Sequence, residues 1–266
     1  MDGARMLSAE ELAGVRRGLE ADGYVVLRGV VSRDRVAAFN TAILDEYERA
    51  VKFEGGGSYS GHLNCFPGES SRFFYEAIAD AGLVDAVHAL RPSLPNAVRA
   101  TLNFNLPGSV AQHYHMDGLY TEDFLVCNIA VVDTDLINGA IDVLPGTHKK
   151  FLKFWQYAVQ RKYRLTTRIP MQMGDVLLRK STLWHRGMPN KGPTPRPMMS
   201  LTFGEQSAPD GDPFDVHDGK LFFYPNWFKT SRLGRLRERT FVAAPITYSA
   251  YRFVKSLRGN KGYSSY

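Results

Sequence analysis

From about Ala97 to Glu205 the chain breaks into short β-branched or aromatic runs separated by turn signals: AVRATLNFNL, DFLVCNIAVVD, AIDVLPG, GDVLLRK, TLWHRG and PMMSLTFG. Strands this short and closely spaced bury themselves by antiparallel pairing within a sandwich or barrel. One helical stretch, about Lys149 to Arg161, interrupts them.

The region in front reads differently. Ser8 and Glu11 have capping-box spacing, and Leu12, Val15 and Leu19 follow with helical periodicity up to Gly23. Tyr24 to Val30 reads as a strand. A helix from Arg33 to Lys52 carries Val36, Phe39, Ile43 and Tyr47 on one face. Residues 53–71 form a Gly/Ser-rich loop, and such long loops are often lids. Helical pattern resumes from Arg72 to Leu90. With no repeat or linker in evidence, the 266 residues are expected to form one domain, mainly β with α. Its parts are N-terminal helices over about 8–90, a strand-rich core over about 97–205 and an extension over about 220–266.

That extension is strongly basic. From Lys220 to Tyr266 it has ten Lys/Arg against one acid, Glu238, so it carries +9 of a net +6 and leaves the body at −3. No nucleic-acid motif accompanies the charge, and no nucleic acid partner is expected. Tyr248, Tyr251, Val254 and Leu257 recur at helical spacing beside Arg252, Lys255 and Arg258. The expectation is a basic amphipathic helix that docks its apolar stripe on the domain, with peripheral contact to an anionic membrane surface as an additional role. No apolar run approaches the ~18 residues of a membrane span. The opening residues lack the basic and apolar regions of a signal peptide. Cys65 and Cys127 are too few for a disulfide framework, and a cytoplasmic location is expected.

The stretch QHYHMDG places His113, His115 and Asp117 at alternate positions. In a strand these share a face, but four residues span about 13 Å, while His and Asp reach a common metal from Cα distances of roughly 6 and 5 Å. A pair two positions apart, at about 6.6 Å, closes easily. His115 with Asp117 gives the mixed imidazole–carboxylate pair, leaving His113 behind the site or facing substrate. A third ligand must come from elsewhere, and His185 in WHRG is the candidate. Two histidines and one carboxylate on one side of an ion leave adjacent positions open, which suits non-haem Fe(II) chemistry with O2 and a 2-oxo acid. Arg196, eleven residues after His185, supplies the guanidinium that the remote carboxylate of such an acid requires.

With these residues in order, the chain resembles the phytanoyl-CoA dioxygenase family of Fe(II)/2-oxoglutarate-dependent oxygenases. HMD matches its H-x-D, NGAIDVLPGTHK its Pro-Gly-Ser/Thr-His segment, HRGMPNKGPTPR its distal His and Arg, and GYVVLRGVVSRDRVAAF its N-terminal signature. The resemblance implies a double-stranded β-helix, or jelly-roll, core. It implies iron on His115, Asp117 and His185, and the 2-oxoglutarate C5 carboxylate on Arg196. It further implies hydroxylation of a small-molecule C–H bond by O2 with release of succinate and CO2. Desaturation, cyclisation and epimerisation share these residues, and a non-catalytic jelly-roll binder with a structural metal is the contrasting reading. Halogenation is disfavoured because Asp117 is present. Many members carry a Ser two residues after the distal His, where this chain has Gly187; Ser200 and Thr182 are the candidate substitutes. Asn103, Asn105 and Gln112 are candidate partners of the 2-oxoglutarate 1-carboxylate.

The remaining polar residues have plainer readings. His148 is expected to be structural, and Asp142 and Asp175 to be turn or solvent residues. Trp184 should face away from the metal into the core, and Cys127 should be a small buried hydrophobe. Tyr59, His62 and Asn64 lie in the long loop. Basic charge and aromatic content suggest an anionic or carrier-linked substrate.

Overall fold

The computed structural model describes residues 5–50, 54–94, 98–204, 211–215 and 217–258. The expected helix end at Lys52, the outer limits of the strand-rich region at Ala97 and Glu205, and the last eight tail residues lie outside these.

Helix α1 (Ala9–Ala21) starts at the expected capping box: the Ser8 hydroxyl accepts from the Glu11 N–H while the Glu11 carboxylate accepts from the Ser8 N–H. Strand β1 (Tyr24–Leu27) stops three residues short of the expected Val30. Helix α2 (Arg33–Arg49) buries Val36, Phe39, Ile43 and Tyr47 as its periodicity requires. The supposed loop contains a strand, β2 (His62–Phe66), which has no β-branched residue and is recruited by pairing. The helix expected over 72–90 is two, α3 (Arg72–Asp80) and α4 (Leu83–Leu90), separated at Gly82, whose φ of 80° breaks the helical backbone.

Next come β3 (Val98–Asn105), β4 (Leu125–Ala130) and β5 (Ile141–Val143). Helix α5 is only Phe154–Val159, because Thr147–Lys149 forms a separate 3-10 turn and Arg161 takes a positive φ. Strands β6 (Thr167–Ile169), β7 (Val176–Lys180), β8 (His185–Arg186), β9 (Arg196–Phe203) and β10 (Phe222–Tyr224) follow. Two helices close the described chain, α6 (Arg232–Ala243) and α7 (Pro245–Leu257). None of the described helices is long and apolar enough to cross a membrane.

The strands form a seven-stranded antiparallel sheet, β1-β7-β4-β9-β3-β2-β10, facing a three-stranded one, β6-β5-β8. This is the double-stranded β-helix that the family resemblance implies. Alternation along β3 and β9 divides the large sheet between two tasks. Leu102, Phe104, Met199, Leu201 and Phe203 join Cys127, Leu178 and the inner faces of α1 to α4 in the main core. Each such side chain contributes roughly 1.5–3 kcal/mol through burial. The intervening residues, Arg99, Thr101, Asn103, Arg196, Met198, Ser200 and Thr202, line a cavity between the sheets.

The tail docks by a different face from the expected one. Tyr251, Val254 and Leu257 are more than half exposed. Arg252 and Ser256 are buried instead, with Tyr248 half-buried one turn before them. The Arg252 guanidinium lies 4.2 Å from the Phe154 ring centre, and the Ser256 hydroxyl accepts from the Trp155 N–H. A guanidinium that can stack on aromatic rings is worth burying, so the register follows Arg252 and not the apolar stripe.

Candidate metal centre

His115 and His185 are joined by reciprocal backbone hydrogen bonds of 3.0 and 2.8 Å, an isolated antiparallel bridge. The segment around His115, expected to be a strand, is extended chain held to β8 by this bridge. Asp117 is fixed by its N–H to the Ser181 carbonyl. One carboxylate oxygen, Oδ1, then lies 3.8 Å from His115 Nε2 and 3.6 Å from His185 Nε2, and donor atoms of all three residues fall within 4.8 Å of one another. Each imidazole donates its Nδ1–H to the carbonyl two residues earlier, His113 O at 2.9 Å and Leu183 O at 3.0 Å. That tautomer leaves both Nε2 lone pairs facing Asp117 Oδ1. The set could hold a metal ion with neutral imidazoles and an anionic carboxylate.

Electrostatics favour those protonation states. Burial, with Arg179 nearby, pushes the His185 pKa well down, and burial lowers that of His115 against the opposing pull of Asp117. Burial alone would raise the Asp117 carboxyl, but the charges of Arg179 and the two histidines hold it below the ordinary carboxylate range.

Arg179 was missed in the sequence, although an arginine inside the apolar run VLLRK was a signal. It is 4% exposed; its Nη2 donates to Asp117 Oδ2 at 2.6 Å and its Nε to Asn128 Oδ1 at 2.8 Å. Asn128 in turn donates to the Ser200 hydroxyl. Ser200 is thereby tied to the Asp117 side of the cavity. Thr182 is buried and does not line the cavity.

Arg196 stands on the cavity wall at 3% exposure. Its Nη2 donates to the Gly139 carbonyl, its buried Nε has no hydrogen-bond partner, and no carboxylate pairs with it among the described residues. Burial lowers its pKa to about 10, so it remains a cation. A buried guanidinium without a counter-charge fits an anionic ligand. Gly187 has a local reason: a Cβ there would lie 2.9 Å from Gln112 Oε1 and 3.1 Å from His62 Cε1.

The cavity encloses about 320 Å³ and includes His115, Asp117, His185, Arg196, Asn103, Gln112 and Ser200. Asn105 does not line it. Its amide donates to the Met188 carbonyl and its oxygen accepts from Ser109, so it works as a brace. Asn103 donates to Asn64 Oδ1, and Gln112 accepts from the Gly187 N–H. His62 is fully buried, with its Nε2–H on the Val110 carbonyl, and Tyr59 donates to Glu54. A second cavity of about 550 Å³ shares Arg99, Asp117 and Thr202 with the first.

His113 is turned away from the triad into an aromatic wall supplied by the tail: Trp227 at 4.5 Å, Tyr248 at 5.0 Å and Phe241 at 6.2 Å between ring centres. Trp184 packs at 5.3 Å on Tyr157, inside the protein as expected. His148 donates its Nε2–H to Glu20 O, a structural role, and Cys127 is fully buried. Asp175 closes the turn at 172–175 as expected, accepting from the Gln172 N–H, although it is buried, whereas Asp142 departs from expectation by lying buried within β5. Asp142 accepts from Tyr114 and Arg186, and Asp175 from Arg28 and the Gly29 N–H, so internal donors replace solvent.

Fold and site together define a jelly-roll protein with a metal-competent His-Asp-His set beside a buried arginine. The family described as phytanoyl-CoA dioxygenase (PhyH) matches residues 19–198, and the chain belongs to it. Among solved structures, it is similar to the non-heme alpha ketoglutarate dependent carbocyclase SnoK from nogalamycin biosynthesis (TM-score 0.59, 19% identity, 82% of this chain and 92% of that one). It is also similar to the epimerase SnoN in complex with Fe3+, alpha ketoglutarate and nogalamycin RO (TM-score 0.58, 16% identity, 77% and 88%). A third is EctD from S. alaskensis with 2-oxoglutarate and 5-hydroxyectoine (TM-score 0.56, 20% identity, 74% and 76%). At these identities the likeness is one of fold.

Proposed function

We propose that the chain is an Fe(II)- and 2-oxoglutarate-dependent dioxygenase that hydroxylates an unactivated C–H bond of a small anionic or carrier-linked metabolite, acting in the cytoplasm. The observation that carries this reading is the convergence of His115 Nε2, His185 Nε2 and Asp117 Oδ1 in the same cavity as the uncompensated Arg196. In it, His115, Asp117 and His185 hold iron and Arg196 takes the 2-oxoglutarate C5 carboxylate. Gln112 and Asn103, with amide groups on the cavity wall, are the candidates to orient the 1-carboxylate end. The chemistry supplied by such a metal is O2 activation coupled to decarboxylation of 2-oxoglutarate, with succinate and CO2 released. Arg179 keeps Asp117 ionised and presents one of its oxygens. Hydroxylation requires no residue beyond these, whereas ring closure and epimerisation also depend on how the substrate is held. The free thiols of Cys65 and Cys127 accord with a reducing compartment.

Arg99 supports an anionic substrate. It lies on β3 six positions from Asn105, the register partner of Arg196, or roughly 20 Å along the strand. A five-carbon diacid anchored at Arg196 and reaching the triad cannot extend there. The carboxylates around the second cavity already have partners: Asp117 has Arg179, Asp123 has Arg91 and Lys180, and Glu122 accepts from the Leu119 N–H. Arg99 is exposed to solvent and pairs with none of them among the described residues, so its charge faces an anion entering there.

The test is anaerobic reconstitution followed by 2-oxoglutarate titration and succinate release. Iron content near one per chain, 2-oxoglutarate binding that Arg196→Ala weakens by roughly tenfold or more, and iron-dependent succinate formation are expected. Iron binding without turnover, even uncoupled, would favour a non-catalytic binder.

A further inference from the structure

The outward faces of α6 and α7 are apolar and cationic at once. Leu233, Leu236, Ile246, Tyr251, Val254 and Leu257 are between 53% and 75% exposed. On α7 the spacing Ile246, Ala250, Val254, Leu257 makes a continuous exposed strip, while Tyr248, Arg252 and Ser256 fasten the opposite face to the protein. Exposed Arg232, Arg237, Lys255 and Arg258 share these helices, and none pairs with a carboxylate among the described residues. The one acid of the segment, Glu238, points inward, where it accepts from the backbone N–H groups of Gly57 and Ser60. Outside the segment, exposed Glu54 lies 3.8 Å from Arg235 and 3.9 Å from Arg239 on α6, so the uncompensated charge of the outer face, among the described residues, is that of Arg232, Arg237, Lys255 and Arg258.

We propose that this face docks on an anionic lipid bilayer. Helices of 12 and 13 residues are too short to span one but suit insertion of an apolar face at headgroup depth. Flanking arginines and lysine meet lipid phosphates, and Tyr251, with the Lys255 ammonium 5.9 Å from its ring centre, has the amphipathic shape of an interfacial residue. A second copy of the chain fits worse, because a two-fold contact would set the same cations against themselves. Through Tyr248 the docked helix also touches His113, so this surface lies one helix from the metal centre.

Flotation of the full chain with phosphatidylcholine vesicles, with and without phosphatidylglycerol, tests the proposal. Binding is expected only with the anionic lipid, and should weaken as salt rises. The double variant Ile246→Ser with Val254→Ser should lose binding at least roughly tenfold, and Arg237→Gln and Lys255→Gln about fivefold each, all with thermal stability near that of the unsubstituted chain. Three outcomes overturn the proposal: no binding to anionic vesicles, equal binding to neutral ones, or apolar variants that bind unchanged. A dimer in light scattering that the same serine substitutions dissolve would assign the face to a second copy instead.

Discussion

Arg179 Nη2 and Asp117 Oδ2 are 2.6 Å apart, and this contact splits the work of the carboxylate: Oδ2 is held by the guanidinium while Oδ1 faces both imidazoles. Because Arg179 is itself held by Asn128, the divided carboxylate has a rigid back wall. Replacing Arg179 with Met removes the charge that keeps the Asp117 pKa low, and the remaining burial pushes it upward. Protons then compete with metal at higher pH. The binding curve for Ni(II) or Zn(II) against pH should move to higher pH in Arg179→Met, and stability should fall by about 1–3 kcal/mol. An unshifted curve would separate Arg179 from the function of Asp117.

The triad and its neighbour are distinguished by iron content. His113→Ala should keep iron after anaerobic reconstitution, because its ring faces Trp227 and Tyr248 and not Asp117. His115→Ala, Asp117→Ala and His185→Ala should each lose more than the roughly 10–100-fold in affinity that loss of an outer partner costs. A folded His113→Ala protein that holds no iron, beside a loaded His185→Ala, would reverse the assignment. Activity is a poorer measure, since His113 adjoins the His115 ring at 5.6 Å.

Arg99 predicts which compounds stimulate turnover. Carboxylates and phosphate esters should increase succinate release, and their neutral methyl esters should not. Arg99→Gln should raise the KM of such an anion roughly tenfold or more, while leaving iron content and 2-oxoglutarate affinity as they are. Equal response to charged and neutral members of the panel would discount Arg99 as the anchor.

The metal-free protein should lose stability on mild acidification. Burial pushes the His62 pKa down to about 4 from 6.5, against the raising effect of its bond to Val110 O. The unfolded chain thus takes up this proton first. Stability is fully present above about 6.5 and falls as pH drops toward 4, by about 3 kcal/mol for this residue. Burial lowers the pKa of His113 and His185 as well, so they act in the same direction. Urea unfolding across this range should show a shallower slope in His62→Gln; parallel curves would place the acid sensitivity elsewhere.

What the sequence by itself determined follows from local rules. The capping box at Ser8 and Glu11, the buried face of α2 and the strand runs from Val98 to Phe203 are written in period and turn chemistry, which neighbours in sequence enforce. That His115, Asp117, His185 and Arg196 should be candidates for one site was legible because spacing and donor type restrict which side chains suit a metal and a diacid, and the four do line one cavity. Only the tertiary structure decided the rest. Strand β2 exists because β3 offers an edge to pair with, although HLNCF has little strand character. Asp142 and Asp175 are buried because distant donors, Tyr114, Arg186 and Arg28, meet them there. Arg179 reaches Asp117 across 62 positions, and α7 turns Arg252 inward and its apolar strip outward because Phe154 on α5, with Trp184 behind it, stacks better with a guanidinium. Each of these is a choice between energies of contact at long sequence separation, and no local pattern carries that information.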